Sequence, residues 1–371
     1  MNASLIAAKE SVPSTPALVF DLPQVERNHS RLVEYARQHS MKVRPHTKTH
    51  KSLRLGRLQM ELGSNGLTAA KVGEAEVMAQ ASPDVLVAYP TLDPVRTRRL
   101  AELAKIMTVR VASDSIEGLE ALAAAARAAG TTIGVLIDQD IGHHRTGVAT
   151  SAIALELAQH AAKLAPALRL DGLFFYPGHV ISPASEQTET LTAINAILSE
   201  TLDMWKKSGL SASIVSGGST PTAYKSHLIP VQTEIRPGTH LFNDGNTVRG
   251  GYCSIEEVAA AVVCTVVSTA VAGKCVLDAG SKTFTSDRNA WAPDSGHGIL
   301  LEYPEAKVVR LSEEHGEVDL SKCEKRPKLG ERVTVVPNHI CPCVNLHQQG
   351  WLRLADGQLE ALPIDAKSML V

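Results

Sequence analysis

The stretch Arg44-Pro45-His46-Thr47-Lys48-Thr49-His50-Lys51 alternates basic and hydroxyl residues directly after a short apolar lead-in. Read as the end of a strand, with its period of two, it places His46, Lys48 and His50 on one side. A lysine crowded by other cations loses its proton more readily than an isolated one, and a neutral amine can form an imine with an aldehyde. The competing interpretation is a basic strand end on an ordinary surface, and the rest of the chain decides between the two.

The composition is typical of a globular protein that acts on small molecules. Its 371 residues are 44% hydrophobic, which suffices for one large domain or two ordinary ones. Lys and Arg number 37 against 39 Asp and Glu, so a formal net charge of -2 offers no general attraction to nucleic acid or to an anionic membrane. The N-terminal segment lacks the features of a signal peptide, and the six cysteines do not resemble a secreted disulfide framework. We therefore expect a cytoplasmic protein with reduced thiols.

Between about residues 22 and 240, amphipathic helical patterns alternate with short apolar runs, which is typical of β/α units around a parallel sheet. Eight candidate strands predict closure into a (β/α)8 TIM barrel, with an open doubly wound sheet as the alternative. In a barrel, functional residues lie at the carboxyl ends of the strands. The candidate strands are residues 43–48, 66–70, 84–89, 107–112, 133–138, 170–175, 213–216 and 233–236.

After Gly245 the pattern changes to β-branched runs separated by short turns, which predicts a second domain built of strands. The apolar run 16–20, ahead of the first helical pattern, is predicted to be a strand of that same domain. We therefore expect a barrel over residues 22–245 and a β domain formed by 1–21 and 246–371.

Two glycine-containing segments after the last candidate strands are suited to binding a phosphate, because they combine accessible backbone amides with hydroxyl donors. A loop of this kind alone is more often a plain turn, but barrels commonly hold phosphate at their last two strands. The candidate donors are Ser216, Gly217, Gly218, Ser219, Thr220, Gly238 and Thr239.

Two further strand ends carry polar side chains. Arg145 follows the candidate strand 133–138 and would project a fixed cation into the barrel mouth, where it can donate to a phenolate-like oxygen. Tyr176 and His179 follow the candidate strand 170–175, and a histidine is suited to proton transfer near neutral pH. Taken singly, these residues fit a salt-bridged loop and a structural histidine equally well.

The segment from Pro337 to His347 gathers imidazole and thiolate groups. His339 and Cys341, two positions apart in a segment read as extended, share one side and suit two ligands of a borderline metal ion. The cluster lacks the four ligands of a structural zinc site. Either the metal keeps open positions for water and substrate, or the cysteines are packed hydrophobic residues.

Seven motifs occur in an order that connects the chain to a known family. They are Thr15-Pro-Ala-Leu-Val, Arg44-Pro-His-Thr-Lys48-Thr-His-Lys, Val72-Gly-Glu-Ala-Glu, Ser216-Gly-Gly-Ser-Thr, Arg236-Pro-Gly, Leu277-Asp-Ala-Gly-Ser-Lys282 and Pro337-Asn-His-Ile-Cys. Together they resemble the fold-type III pyridoxal-phosphate enzymes, and within them the metal-dependent D-threonine aldolase and D-serine dehydratase group. The resemblance spans nearly the whole chain. It implies an alanine-racemase-like barrel plus a β domain, in a head-to-tail homodimer with shared active sites.

The resemblance also implies roles for the candidate residues. Lys48 would form the imine with pyridoxal 5'-phosphate, Arg145 would bond the ring oxygen of the cofactor, and the two glycine-containing segments would hold its phosphate. Arg236 would lie at the pyridine nitrogen, as in alanine racemases, and Tyr176 is a further candidate for a cofactor contact. His339 and Cys341 would bind a divalent metal, Zn2+ or Mn2+ with Mg2+ as a further option, and a thiolate ligand favours Zn2+.

The implied reaction is that of a lyase on 3-hydroxy-D-amino acids, and the bond that breaks decides the product. Loss of the hydroxyl proton to a base, with His179 as the candidate, leads to retro-aldol cleavage into glycine and an aldehyde. Loss of the Cα proton to Lys48 leads instead to a keto acid and ammonia. Cys341 in the second ligand position resembles the D-serine dehydratases. The segments Cys341-Pro-Cys-Val-Asn-Leu-His and Leu311-Ser-Glu-Glu-His-Gly resemble bacterial sequences grouped with the aldolases. We expect cleavage of D-threonine-like substrates, with a D-serine dehydratase as the alternative.

Two other classes share parts of this pattern. A non-catalytic pyridoxal-phosphate carrier has the lysine and the phosphate loop but no C-terminal β domain. An amino-acid racemase needs no metal and takes a tyrosine from the partner subunit, for which Tyr252 is the only nearby candidate. The ligand cluster in the last third of the chain argues against both classes.

Overall fold

The computed structural model describes residues 2–371, and these divide into two units. The barrel unit consists of Arg31–Lys48, Leu53–Gly238 and Ser368–Val371. The β-rich unit contains the N-terminal residues up to Ser30, together with Thr49–Ser52 and Thr239–Lys367. Lys48 is therefore the last barrel residue before the chain enters the other unit.

The chain begins in the β-rich unit and then builds the barrel from alternating strands and helices. The elements of this first part are α1 (Ala3–Ala8), β1 (Ala17–Asp21), α2 (Leu22–Gln38), β2 (Lys42–Val43), α3 (Leu53–Glu61), β3 (Leu67–Ala69), α4 (Val72–Met78), β4 (Asp84–Val87), α5 (Pro94–Leu103), β5 (Thr108–Ser113), α6 (Ile116–Ala129), β6 (Ile133–Asp138), α7 (Ser151–Lys163), β7 (Leu168–Phe174), α8 (Thr188–Lys207), β8 (Ile214–Gly217) and β9 (Glu234–Ile235).

The barrel strands form one parallel sheet in the order β2-β9-β8-β7-β6-β5-β4-β3. Its two end strands are also joined, because His46 forms a parallel bridge with Thr68 and the Thr68 amide donates to the Pro45 carbonyl oxygen. The sheet is thus closed, as the count of eight candidate strands predicts, and the open doubly wound alternative is wrong. Apolar side chains such as Leu86 and Leu136 cluster in its core.

Polar residues at the N-caps fix where several of the barrel helices begin. The Asp93 carboxylate accepts from the amides of Val95 and Arg96 at the start of α5, whose first residue is Pro94. Ser115 and Thr150 cap α6 and α7 in the same manner. These caps orient the loops that precede the helices, and in a barrel those loops carry the functional residues.

The first barrel strand differs from its prediction. β2 comprises only Lys42 and Val43, and Thr47–Thr49 form a 3-10 turn instead of continuing the strand. Pro45 has no amide hydrogen to donate to a strand ladder, which favours an early end to the strand. As a result the basic residues do not share one face, because Lys48 is exposed whereas His50 is buried.

The remaining elements belong to the β-rich unit. They are α9 (Gly245–Arg249), β10 (Ala260–Ser268), β11 (Lys274–Leu277), α10 (Ser281–Phe284), β12 (Gly298–Leu300), β13 (Lys307–Leu311), β14 (Gly316–Asp319), β15 (Arg332–Pro337), α11 (Ile340–Leu346), β16 (Gln349–Arg353) and β17 (Leu359–Pro363).

The N-terminal strand belongs to this β-rich unit, as predicted. β1 pairs antiparallel with β10 and parallel with β16, so residues from both ends of the chain share one sheet. Val19, Val263 and Val336 are fully buried in its core. Within residues 2–371, no helix has the length and apolarity needed to span a bilayer.

Candidate active site

A cavity of about 340 Å3 lies at the carboxyl ends of the barrel strands, where this fold carries its functional residues. It brings together five of the candidate cofactor-binding residues, Lys48, Arg145, Tyr176, Gly218 and Arg236, and His46 of the basic stretch also lines it. Lys71 and Tyr89 also line it, and neither was singled out from the sequence. Four of the lining side chains are cationic, and the described lining includes no carboxylate. The cavity is therefore suited to an anionic ligand.

Lys48 is exposed at the 3-10 turn, while the threonine on each side of it is fully buried. The Thr47 hydroxyl donates to the Thr68 carbonyl oxygen and to the Glu74 carboxylate, which also accepts from the Ala70 amide. Glu74 is the central residue of the Val72-Gly-Glu-Ala-Glu motif, and it thus ties the lysine turn to the loop after β3. This anchoring leaves the Lys48 amine free to point into the cavity that it lines.

The loop after β6 presents Arg145 to the cavity. Its guanidinium lies over the ring of Tyr176, with 4.6 Å between the guanidinium carbon and the ring centroid. The next residue, Thr146, donates to the Asp138 carboxylate at 2.8 Å. Burial raises the pKa of Asp138 to about 6, although the Thr146 hydrogen bond and the charges of Arg236 and Arg145 act in the opposite direction.

Arg236 is buried beneath the cavity and has fixed partners. It donates to the Ser216 hydroxyl at 2.7 Å and to the Phe175 carbonyl oxygen at 2.8 Å, and its guanidinium lies 3.7 Å from the centroid of the Phe174 ring. Burial lowers the pKa of Arg236 to about 10, against the opposing charges of Glu234 and Asp138, so it is a cation at neutral pH.

The loop after β8 places glycine backbone, without side chains, at the cavity wall. A Cβ at Gly217 would lie 2.0 Å from the ring of Phe175, so no side chain fits there. Gly218 lines the cavity and has a φ of +90°, a conformation that L-residues rarely adopt. Backbone amides without side chains at a cavity wall suit a phosphate, and together with the cationic lining they fit pyridoxal phosphate.

The other candidate phosphate donors are not among the residues that line the cavity. The Ser216 hydroxyl is fully buried, where it donates to Glu234 at 2.6 Å and accepts from Arg236, so it has partners within the protein. Ser219 is buried and forms hydrogen bonds with Thr222 in a tight turn. Thr220, Gly238 and Thr239 are half-buried.

His179 is not among the residues that line the cavity. Its ring stacks on His143, with 6.4 Å between the ring centroids, and the His143 ring in turn packs edge-on against Tyr176. Burial lowers the pKa of both histidines, and the charge of Arg145 adds to the effect at His143. Both imidazoles are therefore neutral proton acceptors near pH 7. His143 was not predicted to be a site residue, although it stands two positions before Arg145.

His339 and Cys341 interact in the β-rich unit, but not in the predicted backbone conformation. The expectation of an extended segment was wrong, because α11 begins at Ile340. The buried Asp244 carboxylate accepts from the Ile340 amide at 3.1 Å and also caps α9, which fixes where α11 starts. The turn at this helix start keeps the imidazole of His339 within hydrogen-bonding distance of Cys341.

Two carboxylates face the imidazole of His339. Its Nδ1 lies 3.3 Å from Asp287 Oδ2, and Asp244 adds a second negative charge. Burial acts to lower the pKa of His339, but the Cys341 hydrogen bond and these charges raise it to about 9. Nδ1 bonded to a carboxylate leaves Nε2 for a metal, which is the usual arrangement of ligating histidines.

An imidazole and a thiol side by side fit a borderline divalent metal with open positions. Within residues 2–371 no group of three or more His, Cys, Asp or Glu side chains is placed to hold a metal ion, and His339 and Cys341 remain the candidate ligands from the sequence. The two other donors of the segment, Cys343 and His347, each lie 3.2 Å from the Thr283 carbonyl oxygen. Burial raises the pKa of Cys343, which keeps it a thiol.

Two family models match successive parts of the chain. Residues 20–245 match "Alanine racemase, N-terminal domain", and residues 259–352 match "Putative serine dehydratase domain".

Individual relatives match almost the whole chain. The 3-hydroxy-D-aspartate aldolase of Paracoccus denitrificans (strain Pd 1222) is 31% identical over 96% of this chain and 93% of its own length. The structure of D-threonine aldolase from Filomicrobium marinum superposes with a TM-score of 0.89 at 31% identity, covering 96% of this chain and 97% of that one. D-threo-3-hydroxyaspartate dehydratase from Delftia sp. HT23 gives a TM-score of 0.88 at 26% identity, covering 96% and 98%. A cysteine-to-alanine variant of such a dehydratase has been solved in a metal-free form.

Proposed function

Because the chain belongs to the alanine racemase N-terminal domain family and carries a serine dehydratase domain after the barrel, we propose that it is a lyase of 3-hydroxy-D-amino acids. It would use pyridoxal 5'-phosphate and a divalent metal ion, and cleave D-threonine-like substrates into glycine and an aldehyde. The observation that carries the proposal is the position of Thr49. It follows Lys48 in the chain, and its hydroxyl lies 3.2 Å from the sulfur of Cys341.

The barrel, over residues 22–245, would hold the cofactor, which when bound accepts the electron pair released at Cα. Lys48 would bind its aldehyde, Arg145 its ring oxygen and Arg236 its ring nitrogen, with Tyr176 against the ring. The cationic lining and the bare backbone at Gly218 support this assignment. The residues assigned to the phosphate are Ser216, Gly217, Gly218, Ser219, Thr220, Gly238 and Thr239, with the amides after Ser216 as the main donors.

The β domain, formed by residues 1–21 and 246–371, would hold the metal through His339 and Cys341. A bound divalent ion polarises the 3-hydroxyl of the substrate. A thiolate beside an imidazole favours Zn2+, with Mn2+ as the second choice. The hydroxyls of Thr49 and Thr239 lie 3.2 Å and 3.5 Å from the Cys341 sulfur, and either partner of each pair could be the donor. Both hydroxyls could therefore donate to a thiolate at this position.

For carbon–carbon cleavage, a base must take the proton of the 3-hydroxyl. We assign this step to His179 acting with His143, because both rings are neutral near pH 7 and His143 packs on the cavity residue Tyr176. The proton would be held at an imidazole nitrogen and then returned to Cα of the glycine product.

Dehydration is the second candidate reaction, and the thiol ligand Cys341 is the observation that favours it. In that case Lys48 would take the proton from Cα while the polarised hydroxyl leaves. The products would be a 2-oxo acid and ammonia.

The deciding experiment incubates the purified protein, supplied with cofactor and Zn2+ or Mn2+, with D-threonine, L-threonine and D-serine. We expect glycine and acetaldehyde from D-threonine only. Pyruvate from D-serine without glycine from D-threonine would replace the aldolase with the dehydratase. Absence of product from all three substrates, with cofactor absorbance intact, would refute both.

We also propose that the protein forms a homodimer with small-molecule substrates as its only further partners. The support is the resemblance to fold-type III enzymes. Size-exclusion chromatography with light scattering should give twice the chain mass of 39.6 kDa.

A further inference from the structure

We propose that Asp138 is a positioning residue for Arg145: through a hydrogen bond with Thr146 it holds the loop after β6 so that the Arg145 guanidinium meets the ring oxygen of the cofactor. The inference rests on the proposed function, because it takes the cavity to hold pyridoxal phosphate. It gives a role in the site to a carboxylate that does not line the cavity.

The loop that carries Arg145 is closed at its base by backbone pairing. The Val148 amide donates to the Asp138 carbonyl oxygen at 2.9 Å, and the Asp140 amide donates to the Val148 carbonyl oxygen at 3.0 Å. The base of the loop is therefore fixed to the end of β6. The position of Arg145 depends on what holds residues 141–147.

Two carboxylates bind the backbone of the loop on either side of Arg145. Asp140 Oδ1 accepts from three successive amides, at residues 142–144, with distances of 3.0, 3.0 and 2.9 Å. Asp114 accepts from the Gly147 amide at 3.0 Å. The loop backbone is thus anchored before and after Arg145, and a short segment between the two anchors carries the guanidinium.

Asp138 supplies the hydrogen bond that holds this middle segment. Its carboxylate accepts from the Thr146 hydroxyl at 2.8 Å, and Asp138 is only 3% exposed, so the bond is shielded from water. Thr146 lines the cavity beside Arg145. The two residues share one planar peptide unit, and a shift of Thr146 therefore displaces the backbone of Arg145 as well.

The chain directly after Thr146 passes close to the same carboxylate. Gly147 has a φ of +99°, and a Cβ there would lie 3.1 Å from Asp138 Oδ1 and 2.5 Å from the amide nitrogen of Asp140. This close approach leaves little room for other backbone positions. Asp138 therefore restricts the segment by packing as well as by its hydrogen bond.

The guanidinium of Arg145 needs such support from the backbone. It lies over the Tyr176 ring, and a cation–π contact has weak directional preference across the ring face. A cation beside an ionisable oxygen lowers the pKa of that oxygen, by an amount that falls with distance. The ring oxygen of the bound cofactor would therefore report a displacement of Arg145.

Four variants separate the hydrogen bond from other effects. Asp138→Ala and Thr146→Val each remove it, whereas Asp138→Asn keeps an acceptor and Thr146→Ser keeps the donor. Thr132→Val is the matched control, because the Thr132 hydroxyl also donates at 2.8 Å, to the Pro166 carbonyl oxygen, and does not line the cavity. If Asp138→Ala does not fold, the two Thr146 variants still give the comparison.

The measurements are the dissociation constant of pyridoxal phosphate and the pH titration of its absorbance when bound. We expect Asp138→Ala and Thr146→Val to weaken cofactor binding about 10-fold and to raise the midpoint of the titration by about one pH unit. Both figures correspond to the loss of one charged hydrogen bond. Asp138→Asn, Thr146→Ser and Thr132→Val should remain close to the wild type in both quantities.

A background without the guanidinium tests whether the effect passes through Arg145. Arg145→Gln should itself weaken binding and raise the midpoint. Adding Thr146→Val to Arg145→Gln should then change neither quantity further, because no cation remains to be displaced.

Four results overturn the inference. They are an unchanged titration in Thr146→Val, equal losses in Asp138→Asn and Asp138→Ala, an equal effect of Thr146→Val with and without Arg145, and a wild-type titration in Arg145→Gln. Failure of the proposed function is distinguishable from all four, because the wild type itself would then bind no pyridoxal phosphate, or would bind it and convert no 3-hydroxy-D-amino acid.

Discussion

The hydroxyl of Thr49 lies 3.2 Å from the sulfur of Cys341, although the two residues are separated by 292 positions in the chain. Thr49 is fully buried, whereas its neighbour Lys48 is exposed in the barrel cavity. The 3-10 turn thus directs two consecutive side chains to different tasks: one contacts a candidate metal ligand and the other presents an amine.

The first prediction concerns that amine. Lys48→Ala should abolish the visible absorbance of bound cofactor and all lyase activity, because Lys71, the other lysine among the described cavity residues, follows a different strand, β3. Absorption spectra after dialysis against pyridoxal phosphate measure this. Lys42→Ala, which removes an exposed lysine of β2, is the control and should retain the absorbance. Normal absorbance in Lys48→Ala would contradict the assignment.

The second prediction distinguishes the loss of the metal from the loss of the cofactor. His339→Ala should spare the cofactor absorbance and remove activity, since it deletes one of two candidate ligands. Asp287→Asn should weaken metal binding by about 10- to 100-fold, the usual effect of losing the partner of a ligating imidazole. Metal content and titration with Zn2+ measure both effects. Full turnover in His339→Ala, or unchanged zinc affinity in both variants, would show that the metal does not bind at this site.

The third prediction tests the loop after β8. Gly218→Ala should raise the dissociation constant of the cofactor, because the side chain strains a backbone with φ of +90° at the cavity wall. Gly209→Ala is a matched control: Gly209 has φ of +75°, but nothing lies near its Cβ position. Both changes should cost about 1 kcal/mol of folding free energy. A cofactor affinity that changes equally in both variants would place the phosphate elsewhere.

The fourth prediction concerns Asp138, whose pKa is raised from its ordinary value of 3.8 to about 6 by burial. A carboxyl with a raised pKa in the folded state binds more protons there than when unfolded, so its contribution to stability is lost as pH rises from about 4 to about 6. The loss amounts to about 3 kcal/mol. Asp138→Asn should therefore gain stability relative to the wild type over this range, as measured by urea unfolding at each pH. A constant difference between the two proteins from pH 4 to 7 would contradict the shift.

The barrel and the position of its cavity could be predicted from local patterns, because short apolar runs indicate both the number of strands and where each strand ends. The features that local patterns missed depend on distant partners. The 3-10 turn at Lys48 depends on the bond from Thr47 to Glu74, and the start of α11 depends on Asp244, which stands 96 positions before Ile340. The Ser216 hydroxyl, expected at a phosphate, has Glu234 and Arg236 as partners, and no local pattern indicates this. Lys71 was missed because one lysine after a strand carries no signal of its own.

The fifth prediction concerns the stacked histidines. His179→Gln should lower kcat for D-threonine cleavage by about 100-fold or more, the usual contribution of a general base, while leaving cofactor absorbance unchanged. His143→Gln should lower it as well, because His143 lies between His179 and Tyr176. The control is His160→Gln, which removes a histidine paired with Glu120.

The pH dependence of kcat tests the roles of His179 and His143 independently. A base acts only when unprotonated, so activity rises as pH passes its pKa. Burial lowers the pKa of both rings from the ordinary value of 6.5, and the acid limb of kcat should therefore be centred below that pH. It should change in His179→Gln and persist in His160→Gln. If His179→Gln and His143→Gln both keep the wild-type kcat and the same acid limb, the proton goes to another group. Lys48 then becomes the candidate base, because it lines the cavity and a neutral lysine amine can accept a proton.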